Sequence, residues 1–428
     1  MPEAPLPPHI AFPTGETGPA CPACAHPTTA VVYRLAGIPI HSCVLLGSRE
    51  AACAFPTSDL DLCHCPTCGF LFNGRFDPAC MDYSEDYEET QGYSGTFRTF
   101  LGETVARLAP HLAGEQRPVL EIGAGRGDFL AALCAASGTA GIGVDPSRTA
   151  GRVDLDSGAG LRFRHEEYGP KFFDQPVSAL ISRHTLEHLP QVAREAHCMG
   201  EHLRRNPGAF AFLELPDTLR ILREGAFWDV YYEHCSYFTA HSLRGLFERA
   251  GFAIHDLRLV YGGQYLHLWA APAHAPVHAS LESDPATEAV AHFAASCRQA
   301  LSHWHHWLAG SAPGSVVLWG SGSKATAFLS AAGSHDRIAA VVDINPDKHG
   351  KFVAGSGHEI VAPNRLRDLR PARVLIMNPI YRKEITADLA AGPAPRDPGL
   401  GGMSPAAVPH ACGVARHRFP AHAAPSPP

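Results

Sequence analysis

PVLEIGAGRGDFLAAL, residues 118–133, reads as a strand, a tight glycine turn and the opening of a helix. Val119 to Ile122 is a short run suited to a buried strand. Gly123, Gly125 and Gly127 then recur at every second position. Glycine is needed where the chain turns sharply and a ligand must come close to the backbone. The flanking strand and helix make this triplet more specific than glycines alone. A second strand, GIGVD (141–145), ends in Asp145, 18 residues after Gly127, where an acid would grip ribose hydroxyls. Upstream, Phe100, Leu101, Val105, Leu108 and Leu112 recur at helical spacing. Downstream, VSALISRHT (177–185) and AFAFLELP (209–216) read as strands, and GFAIHDLRLV and QYLHLWAAP as a hairpin joined by Tyr261-Gly262-Gly263.

This core is set in a chain of 428 residues, which suggests about three domains. Lys+Arg 35 against Asp+Glu 42 leaves a formal charge of −7, which argues against a nucleic-acid binder. No apolar run is long enough for a transmembrane helix. The first residues show no basic region followed by an apolar stretch, so no secretory signal is expected and the cytoplasm is the default location.

Eight of the 13 cysteines lie in the first 80 residues, which is unusual for a chain without an export signal. Cys21-Pro-Ala-Cys24 and Cys65-Pro-Thr-Cys68 have the spacing of metal-binding knuckles, and two such pairs supply a tetrahedral sulfur set that suits Zn²⁺. Such a closed site is structural, because it leaves no position for a substrate. Cys43, Cys53, Cys63, His26 and His64 lie close enough in sequence to leave other ligand choices open.

Two polar clusters follow the strands: RHTLEHLP (183–190) and DVYYEHCSYFT (229–239). Groups at the carboxyl ends of parallel strands face the ligand crevice. A carbon nucleophile needs a proton removed beside a carbonyl and its enolate stabilised. Histidine or glutamate can act as the base and tyrosine can donate to the oxygen. A third unit repeats the strand–glycine turn–helix pattern in SVVLWGSGSKATAFLSAA (315–332), followed by strands at 338–343 and 374–379. Lys324 and Lys348 would suit a nucleotide-sugar diphosphate.

The spacing E-x-G-x-G-x-G from Glu121 resembles class I S-adenosylmethionine-dependent methyltransferases. The full order adds C-x-x-C…C-x-x-C-G before it, then Y-Y-E-H-x-S-Y-F, W-G-S-G-S-K and V-D-I-N-P-x-K. Over about residues 20–389 this resembles the zinc-containing sugar C-methyltransferases, which act on nucleotide-linked keto-deoxysugars. The resemblance implies an α/β fold with a class I methyltransferase Rossmann-like domain, a small N-terminal zinc module and a C-terminal Rossmann-like domain without a cofactor of its own. It implies Cys21, Cys24, Cys65 and Cys68 as zinc ligands and His234 as the base, supported by Tyr231 and Glu233. His188 matches a histidine after the fourth strand, and Tyr83 or Tyr87 a tyrosine after the zinc module; of the two, Tyr87 is taken as the catalytic one. S-adenosylmethionine would lie over Gly123, Gly125 and Gly127, with Glu121, Asp145 and His184 around it. The family's members tend to have an Asn-rich segment where this chain reads Arg183 to His188, so the exact sugar or keto compound stays open.

The expected organisation is a disordered N-terminus (1–18), a zinc module (19–78), a methyltransferase domain (79–275), a connecting helix (276–310), a Rossmann-like substrate domain (311–389) and a tail (390–428). Nine Pro, five Gly and ten Ala among the 39 tail residues read as disorder, with a final strand missing from the third domain. The expected partner is a nucleotide-linked sugar or related small molecule, with neither nucleic acid nor membrane. Two other functions fit the same residues: an O- or N-methyltransferase on a sugar or small metabolite, and a non-catalytic zinc-stabilised scaffold that binds the cofactor.

Overall fold

The computed structural model describes residues 7–81, 90–147, 160–275, 284–333, 335–391 and 399–402. Three sheets organise them.

The central sheet has seven strands, with Val119–Ile122 flanked by Gly141–Val144 on one side and Ala179–Arg183 on the other. Leu161–Arg164 and Phe210–Pro216 extend it in parallel at the two sides. The hairpin Phe252–Val260 and Tyr265–Pro272 closes the second side, its later strand inserted antiparallel against Phe210–Pro216. Val119–Ile122 and Ala179–Arg183 are buried at nearly every position, as expected for strands covered on both faces. The chain reverses its winding between these two strands, so a crevice opens outside their carboxyl ends. The glycine turn and the RHTLEHLP segment both lie at that switch point.

The N-terminal sheet holds Ile10–Ala11, Thr17–Gly18, Thr29–Pro39, Thr57–His64 and Leu71–Asn73. Its sixth strand is Ser236–Tyr237, from the YYEHCSYF stretch, which pairs antiparallel with Leu71–Asn73. The segment carrying the polar cluster is thus built into the cysteine-bearing sheet. The helix Pro285–Ala309 then leads to a third, all-parallel sheet of Val316–Trp319, Ile338–Val342, Ile360–Val361, Arg373–Ile376 and Gly399–Gly402.

Within the stretch expected to be a tail, Gly399–Gly402 pairs in parallel with Arg373–Ile376, while residues 392–398 and 403–428 lie outside the described residues. A glycine-rich run shows no hydrophobic alternation, so pairing through its backbone leaves no periodic signal to read. The first and third units also share one core. Tyr33, Leu60 and Leu62 join Phe293 and Trp304 of the long helix and Phe328 and Leu375 of the third sheet layer in one apolar cluster. Among the described residues no helix is long and apolar enough to cross a membrane.

Candidate active site

The glycine turn leaves the sheet at Gly123, whose φ of 70° favours glycine. A Cβ there would sit 2.0 Å from Thr185 Oγ1, so the turn packs directly against the segment after Ala179–Arg183. Gly125 is also left-handed, at φ 49°, and a Cβ there would meet nothing within 4 Å among the described residues. Gly127 precedes the helix Asp128–Ser137, whose first amides have no side-chain cap. Asp145 accepts hydrogen bonds from the amides of Gly125 (2.9 Å) and Ser147 (2.8 Å), holding the turn to the end of the second strand.

Below the turn lies a buried charge network. Glu214 pairs with Arg183 at 2.6 Å, His267 at 2.6 Å and His184 at 3.1 Å. Burial alone would push the Glu214 carboxyl up, but Arg183, His184 and His267 hold it well below the usual carboxylate range. His184 has a left-handed φ of 49° and lies between Glu214 and Glu187, the latter at 3.4 Å. Burial opposes its charge, yet Glu187 and Glu214 raise its pKa to about 9, so it is an imidazolium at neutral pH. Glu121 is buried, and one of its oxygens has no hydrogen-bond partner among the described residues. Burial pushes its pKa up to about 8 against the pull of Arg183, with Asp145 and Glu214 adding to the rise. A cation arriving beside it would restore its charge.

The polar cluster of residues 229–239 stands next to this network. The Tyr231 hydroxyl lies 3.2 Å from His234 Nε2, and their ring centroids are 4.3 Å apart. His188 meets the His234 ring edge-on at 4.8 Å. Burial, then His188, His184 and Lys324, hold the His234 pKa well below the ordinary imidazole value. His234 is therefore neutral at pH 7, while burial first, then Asp229 and Glu233, keep Tyr231 a phenol. Tyr237 fixes the loop by donating its hydroxyl to the Tyr231 carbonyl at 3.0 Å. The contacts run without a gap from Gly123 through Thr185 and Glu187–His188 to His234, placing a basic imidazole and a phenol beside the crevice.

Glu233 faces the other way. It accepts from the Ser42 amide (3.3 Å) and hydroxyl and pairs with His41 Nδ1 at 3.3 Å. Lys324 is bonded to Asp229, which also pairs with Arg220 at 2.6 Å. Lys348 is buried with its Nζ 4.0 Å from Asp343. An internal carboxylate lies beside each of these lysines. Tyr83 and Tyr87 lie outside the described residues.

The four knuckle cysteines converge. Cys21 and Cys68 sulfurs lie 3.7 Å apart and those of Cys24 and Cys65 3.6 Å apart, and all four atoms fall within 4.8 Å of one another. Four sulfurs about 2.3 Å from one ion would lie about 3.8 Å apart in a tetrahedron. The two loops share one geometry: the amides of Ala25 and Gly69 return to the carbonyls of Cys21 and Cys65 at 2.8 and 2.9 Å.

Residues 93–257 match the family model of a methyltransferase domain. Residues 285–393 match that of a C-methyltransferase C-terminal domain. The C-methyltransferase NovU of Streptomyces niveus is 27% identical over 293 residues, covering 62% of this chain and 67% of that protein. The chain is an S-adenosylmethionine-dependent methyltransferase. The same matches support a C-methyltransferase family. Among solved structures, an O-methyltransferase family protein from Burkholderia thailandensis is similar at 13% identity and a TM-score of 0.34, over 42% of this chain and 57% of that one. Magnesium protoporphyrin IX methyltransferase from Synechocystis PCC 6803 is similar at 17% identity and a TM-score of 0.33, over 42% of this chain and 84% of that one. Neither likeness bears on what this methyltransferase acts on.

Two outcomes follow for the methyltransferase turn and network. Gly123→Ala combines a left-handed backbone with a clash against Thr185. It is expected to cost about 1–3 kcal/mol of stability and to weaken S-adenosylmethionine binding, measured by thermal melts and titration calorimetry. Glu214→Ala strands Arg183 and His184 without their shared carboxylate. Denaturant unfolding should show a loss of about 3–5 kcal/mol. Glu214 had one legible signal, an acid inside the apolar run AFAFLELP. His41 and Ser42 had none, because their partner Glu233 is about 190 residues away.

Proposed function

We propose that this methyltransferase adds a methyl group to a carbon next to the keto group of a nucleotide-linked deoxysugar. The observation that carries the reading is a neutral buried His234 hydrogen-bonded to the phenol of Tyr231 beside the crevice. The C-methyltransferase relative and the match over residues 285–393 support the same chemistry.

His234 removes the proton beside the carbonyl, and the electron pair moves onto the carbonyl oxygen. Tyr231 donates a hydrogen bond to that developing oxyanion, with His188 on the substrate side; the catalytic role of Tyr87 rests on the family resemblance alone. The enolate carbon takes the methyl group in line, and the electrons of the broken bond stay with sulfur. The chain's main service to that step is to hold both reactants in line. Gly123, Gly125 and Gly127 would let the methyl donor approach the backbone, Asp145 would hold its ribose, the buried Glu121 would meet its positive charge, and His184 would support that wall. Bound S-adenosylmethionine supplies the electrophilic methyl.

Cys21, Cys24, Cys65 and Cys68 hold a structural Zn²⁺ in this reading, which their sulfur spacing supports. Residues 19–78, 79–275 and 311–389 serve as zinc module, methyltransferase domain and substrate domain, with 276–310 as the connection. A reducing cytoplasm suits the twelve cysteines that form no disulfide among the described residues.

The test is incubation with nucleotide keto-sugars in deuterated water, with and without S-adenosylmethionine. Deuterium uptake at the carbon beside the keto group, lost in His234→Ala, is the expected result. Methyl transfer without any such exchange in any sugar would point to an oxygen or nitrogen acceptor.

A further inference from the structure

Glu233 is the point where three parts of the chain meet. It is 1% exposed and follows directly on Tyr231-Tyr232. From the cysteine module, Ser42 directs both its amide, at 3.3 Å, and its hydroxyl to one Glu233 oxygen, and His41 Nδ1 lies 3.3 Å from the other. From the third unit, Thr326 Oγ1 donates to the Ser42 carbonyl at 2.9 Å, and Ser323 Oγ lies 2.7 Å from Ser42 Oγ. Ser42 is thus held on its carbonyl and its hydroxyl while it holds Glu233.

A carboxylate with this many donors is poorly placed to take a substrate proton. It can instead fix the peptide that carries its neighbour, His234. We propose that His41 and Ser42, contributed by the cysteine module, are positioning residues of the methyl-transfer site: by pinning Glu233 they set the direction in which His234 and Tyr231 face the substrate. This rests on the reading of His234 as the base. It makes the first module part of the reaction apparatus, not only a folding aid.

The groups facing Glu233 are His41, His188 and the phenols of Tyr231 and Tyr237. Burial pushes the Glu233 carboxyl up, and His41, His188 and Ser42 bring it below the usual range. Removing donors should raise it, so the acid limb of turnover should move to higher pH.

The experiment compares the full chain with Ser42→Ala and His41→Gln, measuring kcat, KM, pH profile, zinc content and melting temperature with keto-sugars and S-adenosylmethionine. A misdirected base is expected to lower kcat about 10²-fold. KM and zinc content should hold, and the acid limb should shift upward. Unchanged kcat, or a loss with an unmoved pH profile that follows only zinc or melting temperature, would overturn the proposal. If the unaltered chain gives no carbon-linked product, the functional reading fails on its own. The pinning is then judged from crystal structures: a displaced Glu233 side chain in Ser42→Ala upholds it, and an unmoved one overturns it.

Discussion

Replacing His234 with alanine is expected to lower kcat on a keto substrate by about 10²- to 10⁴-fold, the range that a positioned base supplies. The affinity for S-adenosylmethionine should change little, because the glycine turn and Asp145 lie on the other side of the Thr185 contact. The pH dependence follows from the environment of His234. Burial first, then the neighbouring His188, His184 and Lys324, hold its pKa well below the ordinary imidazole value. The neutral, basic form therefore persists into mildly acidic solution. Turnover should fall as the pH drops through that depressed value, and the His234 contribution to the acid limb should vanish in the variant. The sign for stability agrees. The folded chain binds the proton less readily than the unfolded chain does, so the contribution of His234 is complete above the ordinary imidazole value. It erodes as the pH falls below it. A variant retaining most of the wild-type kcat would remove His234 from the role of base.

Cys65→Ser is expected to have the second large effect, on stability. A structural zinc contributes about 10–16 kcal/mol to small modules whose apo form is unfolded. Here the sheet behind the sulfurs has further support. Its inner residues Tyr33, Leu60 and Leu62 pack into the same cluster as Phe293, Trp304 and Phe328. The loss should therefore spread to the long helix and third unit, and the melting transition should shift as a whole. About one zinc per chain is expected in the unaltered protein and markedly less in the variant. Metal analysis together with calorimetry checks both. A chain free of zinc with an undiminished melting temperature would refute the ligand assignment.

Features with local physics could be read from the residues in order. The glycine turn is legible because sharp backbone and close packing restrict Gly123 to one residue type. The hairpin Phe252–Val260 and Tyr265–Pro272 is legible because its strands flank an obvious turn. The knuckles are legible because two short spacings place thiols together. Features that depend on distant partners were not legible. Ser236–Tyr237 completes a sheet begun more than 200 residues earlier, and nothing within CSYF announces that register. The pairing of Lys324 with Asp229 joins two units 95 residues apart, which no local pattern announces. Gly399–Gly402 pairs with Arg373–Ile376, and its glycine-rich sequence carries no alternation that would announce a strand. Glu187 and His184 both lie within RHTLEHLP, but the link from His184 to Glu214 depends on the neighbouring strand.

The chemistry of the acceptor atom is tested most directly by following the methyl group itself. S-adenosylmethionine labelled with ¹³C in its methyl group is incubated with the full chain and a panel of nucleotide keto-sugars, and the product is read by carbon NMR. A labelled methyl bonded to the sugar carbon beside the keto group is the result predicted. A labelled methyl on oxygen or nitrogen would contradict it.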